Sequence, residues 1–147
     1  MNIGITNDHH GVILKEYLTK KLQEEGYNVI NLGTNSSESV DYPIYAHKLG
    51  RAIQTKKISY GIAICGTGIG MCIALNKMKN VYCAKVSSKE EAILAKEHNN
   101  ANAISISSNL EKEEAYIIVK SFLEAIFSNE ERHLRRVNII KEYEING

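Results

Sequence analysis

Short, almost wholly apolar runs alternate with longer amphipathic ones, and this alternation constrains the fold more than any other feature of the chain. Residues 3–6, 27–32, 60–65, 81–86 and 103–106 read as strands. Residues 11–25, 41–55, 66–78, 88–98, 110–127 and 131–144 read as helices. Gly26 follows the first, the only proline, Pro43, sits in the first turn of the second, and Ser88 caps the fourth ahead of Glu90 and Glu91. Strands separated by helices cannot pair as hairpins and must build a parallel sheet. Runs such as Ile62-Ala63-Ile64-Cys65 suit strands covered on both faces. The pattern predicts one α/β domain over residues 1–147. Its architecture is three-layer α/β/α, with a five-stranded parallel sheet and an extra C-terminal helix that invites a partner.

Composition removes several function classes. With 18 basic and 17 acidic residues the net charge is +1, so no bulk field points to nucleic acid or a membrane surface. No apolar run approaches the ~20 residues of a membrane helix, and Asn2-Ile3-Gly4-Ile5 does not read as a leader, so a cytoplasmic location is expected. Three cysteines, at 65, 72 and 83, form no metal-ligand spacing and fit reduced thiols. Cys72 falls on the core face of a helix and Cys83 inside a strand, where both read as packing residues.

Ligands of an open α/β sheet bind beyond the carboxyl ends of its strands. The first strand delivers Asn7-Asp8-His9-His10-Gly11 and the third Cys65-Gly66-Thr67-Gly68-Ile69-Gly70; His98-Asn99-Asn100, ahead of the fifth strand, is the other polar segment grouped with them. The glycines expose N–H groups at a helix start, a nest suited to anions. No Gly-Lys-Ser/Thr follows, and no acidic residue stands at a strand end about 20 positions on, so neither a Walker loop nor a sound dinucleotide fingerprint is present. Cys65 faces this nest. A helix N-terminus contributes only ~0.3–1 kcal/mol toward an anion, so a thiolate there needs direct N–H bonds or a cation as well. Asp8 and His9 can move protons or hold hydroxyls, and Asp8 can equally cap the first helix. Tyr42 can reach a ligand or pack the start of its helix. Arg132 and Arg136, four apart, share a helix face as a fork suited to phosphate; a solvated charged face is the plainer alternative.

Asp8-His9-x-Gly11, Asp41-Tyr42-Pro43, Cys65-Gly66-Thr67-Gly68-Ile69-Gly70, Asn76-Lys77, His98-Asn99-x-x-Asn102 and Arg132-His133-x-x-Arg136-Val137 together resemble, in this order, the B-type ribose-5-phosphate isomerases. The galactose-6-phosphate isomerase subunits belong to the same superfamily. The resemblance covers essentially the whole chain. It implies a Rossmann-like fold and an aldose–ketose isomerase that uses no metal or cofactor and works through a cis-enediolate. It implies a homodimer or a dimer of dimers with active sites at the interface. Cys65 is then the base, Thr67 assists at the substrate oxygens, and His98, helped by Asp8, opens the sugar ring. The N–H groups from Gly66 through Gly68 and Ile69 to Gly70 stabilise the enediolate. His9, Arg132 and Arg136 bind phosphate, while Tyr42 and Asn99 line the sugar site. His98 and Asn99 come from the neighbouring subunit.

One departure concerns substrate choice. After the fifth strand the family pattern carries Gly-x-Arg, where this chain has Ser107-Ser108-Asn109. A lost charge-assisted hydrogen bond costs roughly 1.5–3 kcal/mol, or about 10–100-fold in phosphate affinity, unless Arg135 or another group compensates. Asn109 therefore leaves three readings: a pentose phosphate isomerase, a hexose 6-phosphate isomerase of the allose or galactose type, and a sugar-phosphate-binding module without turnover.

Overall fold

Five strands, β1 (Asn2–Asn7), β2 (Asn28–Asn31), β3 (Tyr60–Cys65), β4 (Cys83–Lys85) and β5 (Ala103–Ser107), form one parallel sheet in the order β2-β1-β3-β5-β4. This computed structural model describes residues 1–147. The helices are α1 (Val12–Glu24), α2 (Tyr42–Gln54), α3 (Ile69–Asn76), α4 (Lys89–Glu97), α5 (Lys112–Glu124) and α6 (Glu131–Asn146). A short 3-10 turn, His9–Gly11, joins β1 to α1.

Strand alternation sorts the core into two layers. Ile3, Ile5, Ile62, Ile64, Ile104 and Ile106 point to one face and meet α1, α4 and α5 through Leu18, Leu22, Ala92, Ala95, Ile118 and Phe122. Ala63, Cys65 and Ala103 point to the other face and meet α2 and α3 through Ala46, Leu49, Met71 and Leu75. Full burial of each large apolar side chain contributes ~1.5–3 kcal/mol. Small residues on the second face let α3 lie close to the sheet. The expected three-layer architecture is present.

Topology locates the site. The connection after β1 runs to the face of α1, and that after β3 to the face of α3. β1 and β3 are neighbours, so a crevice opens between their carboxyl ends, where ligands of such sheets bind.

The largest departures from the sequence reading fall at three elements. β4 spans three residues because it is an edge strand paired only with β5, and the Tyr82 N–H turns instead to Asn102 Oδ1 at 2.8 Å. α3 begins at Ile69, since Gly66–Gly68 belong to the turn. α5 stops at Glu124, where Ala125 becomes extended: Lys96 Nζ takes the Ala125 carbonyl at 3.3 Å and Ser128 N–H bonds Glu97 O at 3.0 Å. α6 buries only His133 and Val137, leaving Leu134, Ile139, Ile140, Tyr143 and Ile145 exposed. No helix is long and apolar enough to cross a membrane.

Candidate active site

Two groups of residues stand at opposite edges of the sheet. The first fills the β1/β3 crevice. A cavity of about 450 Å³ is lined by Asp8, His10, Tyr42, Cys65, Gly66, Thr67, Ile69, Gly70 and Ile73. Cys65 is buried, and the Gly68 N–H donates to its Sγ at 3.2 Å. That is the direct contact which a helix dipole alone does not supply. The geometry depends on Gly68 having φ +81°, a left-handed conformation. A Cβ there would also stand 3.1 Å from the Ile106 backbone.

The nest divides its donors. Gly68 N–H serves the thiol and Ile69 N–H bonds Thr67 Oγ1 at 3.1 Å. The N–H groups of Gly66, Thr67, Gly70 and Met71 have no partner within the chain. Of the Gly66–Gly70 donors expected to meet substrate, those of Gly68 and Ile69 are held here by Cys65 and Thr67 within the nest itself. Thr67 accepts through its oxygen, so its hydroxyl hydrogen remains free to donate. Gly70 admits Tyr42: a Cβ at position 70 would lie 2.6 Å from the tyrosine ring.

Asp8 is buried and does two jobs. Oδ1 caps the 3-10 turn by accepting the His10 N–H at 2.9 Å, and Oδ2 lies 3.2 Å from His10 Nδ1. The Val40 N–H donates to His9 Nδ1 at 3.3 Å. A backbone N–H cannot accept, so neutral His9 keeps its proton on Nε2 as a donor. Asp8, His9 and His10 bring one donor atom each within 4.8 Å, the chain's one grouping of metal-ligand type, and these hydrogen bonds already occupy two of its imidazole nitrogens. The loop holding Val40 is clamped from below by buried Lys15, whose Nζ bonds Thr34 O at 2.6 Å and Asn35 Oδ1 at 2.7 Å. On the far side of the nest, Ser107 Oγ donates to Gly66 O at 2.7 Å and accepts Asn109 N–H at 3.1 Å. Asn109 thus borders the first group.

The second group lies at the amino edge. α4 runs back against the strands, so His98 and Asn99 emerge beside the starts of β3 and β5, where Gly61 N–H bonds Asn102 O at 3.0 Å. Their grouping with the carboxyl-end segments is therefore corrected: a helix after a parallel strand returns the chain to the opposite edge. His98 stacks on His133, ring centroids 4.2 Å apart. Arg132 Nε donates to His133 Nε2 at 3.3 Å, which leaves the His133 proton on Nδ1, 2.8 Å from Ser128 Oγ. Burial, then His98, Arg132 and Arg136, hold the His133 imidazole below its ordinary pKa. His133 is a linker the sequence reading gave no role; its place inside Arg-His-x-x-Arg was the signal available. Arg135 is paired with Glu131 on the same helix.

A thiol in an N–H cradle faces one way, and an imidazole with two guanidinium groups faces the other. The model of the family described as Ribose/Galactose Isomerase matches residues 3–140. The chain belongs to that family. The probable ribose-5-phosphate isomerase B of Mycoplasma genitalium is 42% identical, the match covering 97% of this chain and 95% of that one. The ribose-5-phosphate isomerase B of Escherichia coli K12 is 38% identical over 93% and 92%. Among solved structures, the isomerase B of Clostridium thermocellum superposes with a TM-score of 0.96 at 38% identity, over 99% of both chains. The M. genitalium isomerase B, solved with bound ribulose 5-phosphate, gives 0.94 at 39% identity, over 99% of this chain and 97% of that one. The expected family, fold and isomerase class agree with these likenesses.

Proposed function

We propose that this chain interconverts ribose 5-phosphate and ribulose 5-phosphate as an oligomer whose active sites each combine two chains. The observation that carries the proposal is the Cys65 sulphur in the Gly68 N–H cradle at the β1/β3 crevice. One chain contributes Cys65, Thr67, Asp8, His9, Tyr42 and the nest; a second contributes His98, Asn99, Arg132 and Arg136. The exposed apolar side of α6 supports such an association.

Each part has a physical task. His98, with Asp8 across the interface, moves the protons that open the ring, and Arg132 and Arg136 hold the phosphate with the His9 Nε2–H. Phosphate binding far from the reacting carbons positions C1 and C2 over Cys65. The Cys65 thiolate removes the proton from C2 and returns it to C1 on the same face. Negative charge then develops on the enediolate oxygens, and the free N–H groups of Gly66 and Gly70 and the Thr67 hydroxyl donate to it. Removing one such preorganised donor typically costs about 10²–10³ in turnover. Asn109, bordering the nest, favours one second reading, a hexose 6-phosphate as substrate.

A panel of ribose 5-phosphate, allose 6-phosphate and galactose 6-phosphate, run on wild type and Cys65→Ala, tests this. Turnover of ribose 5-phosphate that disappears in the variant is the expected result. Turnover of a hexose phosphate alone would transfer the assignment to that substrate. Binding without any turnover would point to a non-catalytic module.

A further inference from the structure

Cys72 and Cys83 have no part in the reaction, and they are not separate packing residues. Both are only half-buried, on α3 and β4. Cys72 Sγ stands 3.5 Å from the Cys83 carbonyl oxygen. Asn76 binds them into one unit: its Nδ2 reaches Cys72 Sγ at 3.4 Å and Cys83 O at 2.8 Å, and its Oδ1 accepts the Cys83 N–H at 2.8 Å. Beneath them Ser105 Oγ, wholly buried, has no nitrogen or oxygen partner and lies against both sulphurs.

We propose that Cys72 and Cys83 form a redox-active dithiol that closes to a disulfide on reaction with a hydroperoxide and thereby slows the Cys65 site. The Cys83 side chain, by hydrogen bonding, pulls Cys72 down to about 6, with lesser help from Ser105, the Lys85 backbone and Asn76, while Cys83 is pushed up. Asn76 Nδ2 donates to Cys72 Sγ, so Cys72 is the sulphur better held as the attacking thiolate and Cys83 is the resolving thiol. The Cys72 thiolate attacks the terminal peroxide oxygen, an S–O bond forms as the O–O bond breaks, and the departing hydroxide (or alkoxide) takes a proton from solvent, leaving a sulfenic acid and one water (or alcohol). The Cys83 sulphur then attacks the sulfenic sulphur. The S–S bond forms, the S–O bond breaks, and a second water leaves. Two electrons have passed from the sulphurs to the peroxide.

The link to activity runs through two hydrogen bonds. Cys72 N–H donates to Gly68 O at 3.2 Å, and Gly68 N–H donates to Cys65 Sγ at 3.2 Å. Pulling Cys72 toward β4 re-aims the donor that cradles Cys65.

The test treats reduced wild type and Cys83→Ser with stoichiometric hydrogen peroxide, then maps disulfides by peptide mass and measures turnover. In wild type, two of the three thiols should disappear as a Cys72–Cys83 cross-link. Turnover should drop at least ~10-fold, as expected when an aimed donor is lost, and return with dithiothreitol. Cys83→Ser should keep basal turnover and show no reversible loss. Equal inactivation of both proteins, a cross-link that includes Cys65, or persistence of all three thiols would overturn the proposal; a cross-link with unchanged turnover would overturn the coupling through Gly68. The activity readout rests on the isomerase reading, but the mass map does not, so the two fail separately. Should Cys83→Ser not fold, the wild-type map still decides whether the dithiol closes.

Discussion

Cys65→Ala and His98→Ala should each be nearly inactive alone and should recover activity when mixed. Cys65 ends β3 in register with Ser107, whereas His98 follows α4 and precedes β5, which starts at Ala103. Four strand residues at ~3.3 Å each separate those levels, about 13 Å along the sheet. A group that transfers a proton must come within roughly 2.6–3.2 Å of its atom, so the two side chains of one chain cannot serve one sugar. In a two-fold dimer of the proposed kind, each site takes Cys65 from one chain and His98 from the other. A dimer of one Cys65→Ala chain and one His98→Ala chain then has one intact site and one doubly broken site. Random reassortment makes about half of all dimers mixed, so activity should recover to about a quarter of wild type. The assay is unfolding and refolding of the two variants together, with separately refolded variants as controls. If both residues acted within one chain, every mixed dimer would carry a lesion in each site. Mixing would then give no more than the sum of the separate variants, and that result would refute the divided site.

Other outcomes follow from particular contacts. Gly68→Ala should destabilise the protein by about 1–3 kcal/mol, because a left-handed non-glycine residue costs ~1–2 kcal/mol and the added Cβ meets the Ile106 backbone; thermal unfolding reads the loss, and turnover should fall further than stability. Burial lowers the Lys96 amine to about 8, where it sits over the Tyr60 and Phe122 rings. The unfolded chain therefore binds more protons between pH 8 and 10.5, so stability should rise with pH across that window, and Lys96→Met should flatten the rise in denaturant titrations. The lowered His133 pKa means that folded stability falls as pH drops below the ordinary histidine range. Inorganic phosphate between Arg132 and Arg136 should move the His133 proton resonance back toward ordinary titration, and Arg136→Gln should weaken that response.

The sheet was readable because both faces of its central strands are covered, so β3 is an uninterrupted apolar run. The edge strand β4 was overestimated for the converse reason: with one neighbour, its flanking residues satisfy their amides elsewhere, as Tyr82 does with Asn102. The crevice residues were readable as types, since a thiol, a Gly-x-Gly-x-Gly turn and an acid–imidazole pair rarely coincide by chance at two strand ends. Their division of labour was not. That Gly68 serves sulphur while Gly66 and Gly70 stay free depends on the φ of one residue, which residue spacing does not encode.

His98 was the residue most easily misplaced, because a sequence is linear and the sheet has two ends. A strand followed by a helix returns the chain to the edge from which it started, so residues before a strand and residues after one face apart. The same geometry explains why the chain carries an amphipathic α6 that its own core hardly uses. His133 and Val137 anchor the helix, and the His133 ring fixes His98 by stacking and Arg132 by hydrogen bonding. Leu134, Ile140 and Tyr143 face outward. In the proposed oligomer, one helix would thus order the amino-edge group and present the apolar surface by which a second copy brings that group to Cys65. Substitutions that replace Ile140 or Tyr143 by charged residues should for this reason abolish turnover without touching any group that meets the sugar, and sedimentation should show the loss of association in the same samples. Monomeric variants that keep full turnover would mean that the two halves meet in some other way.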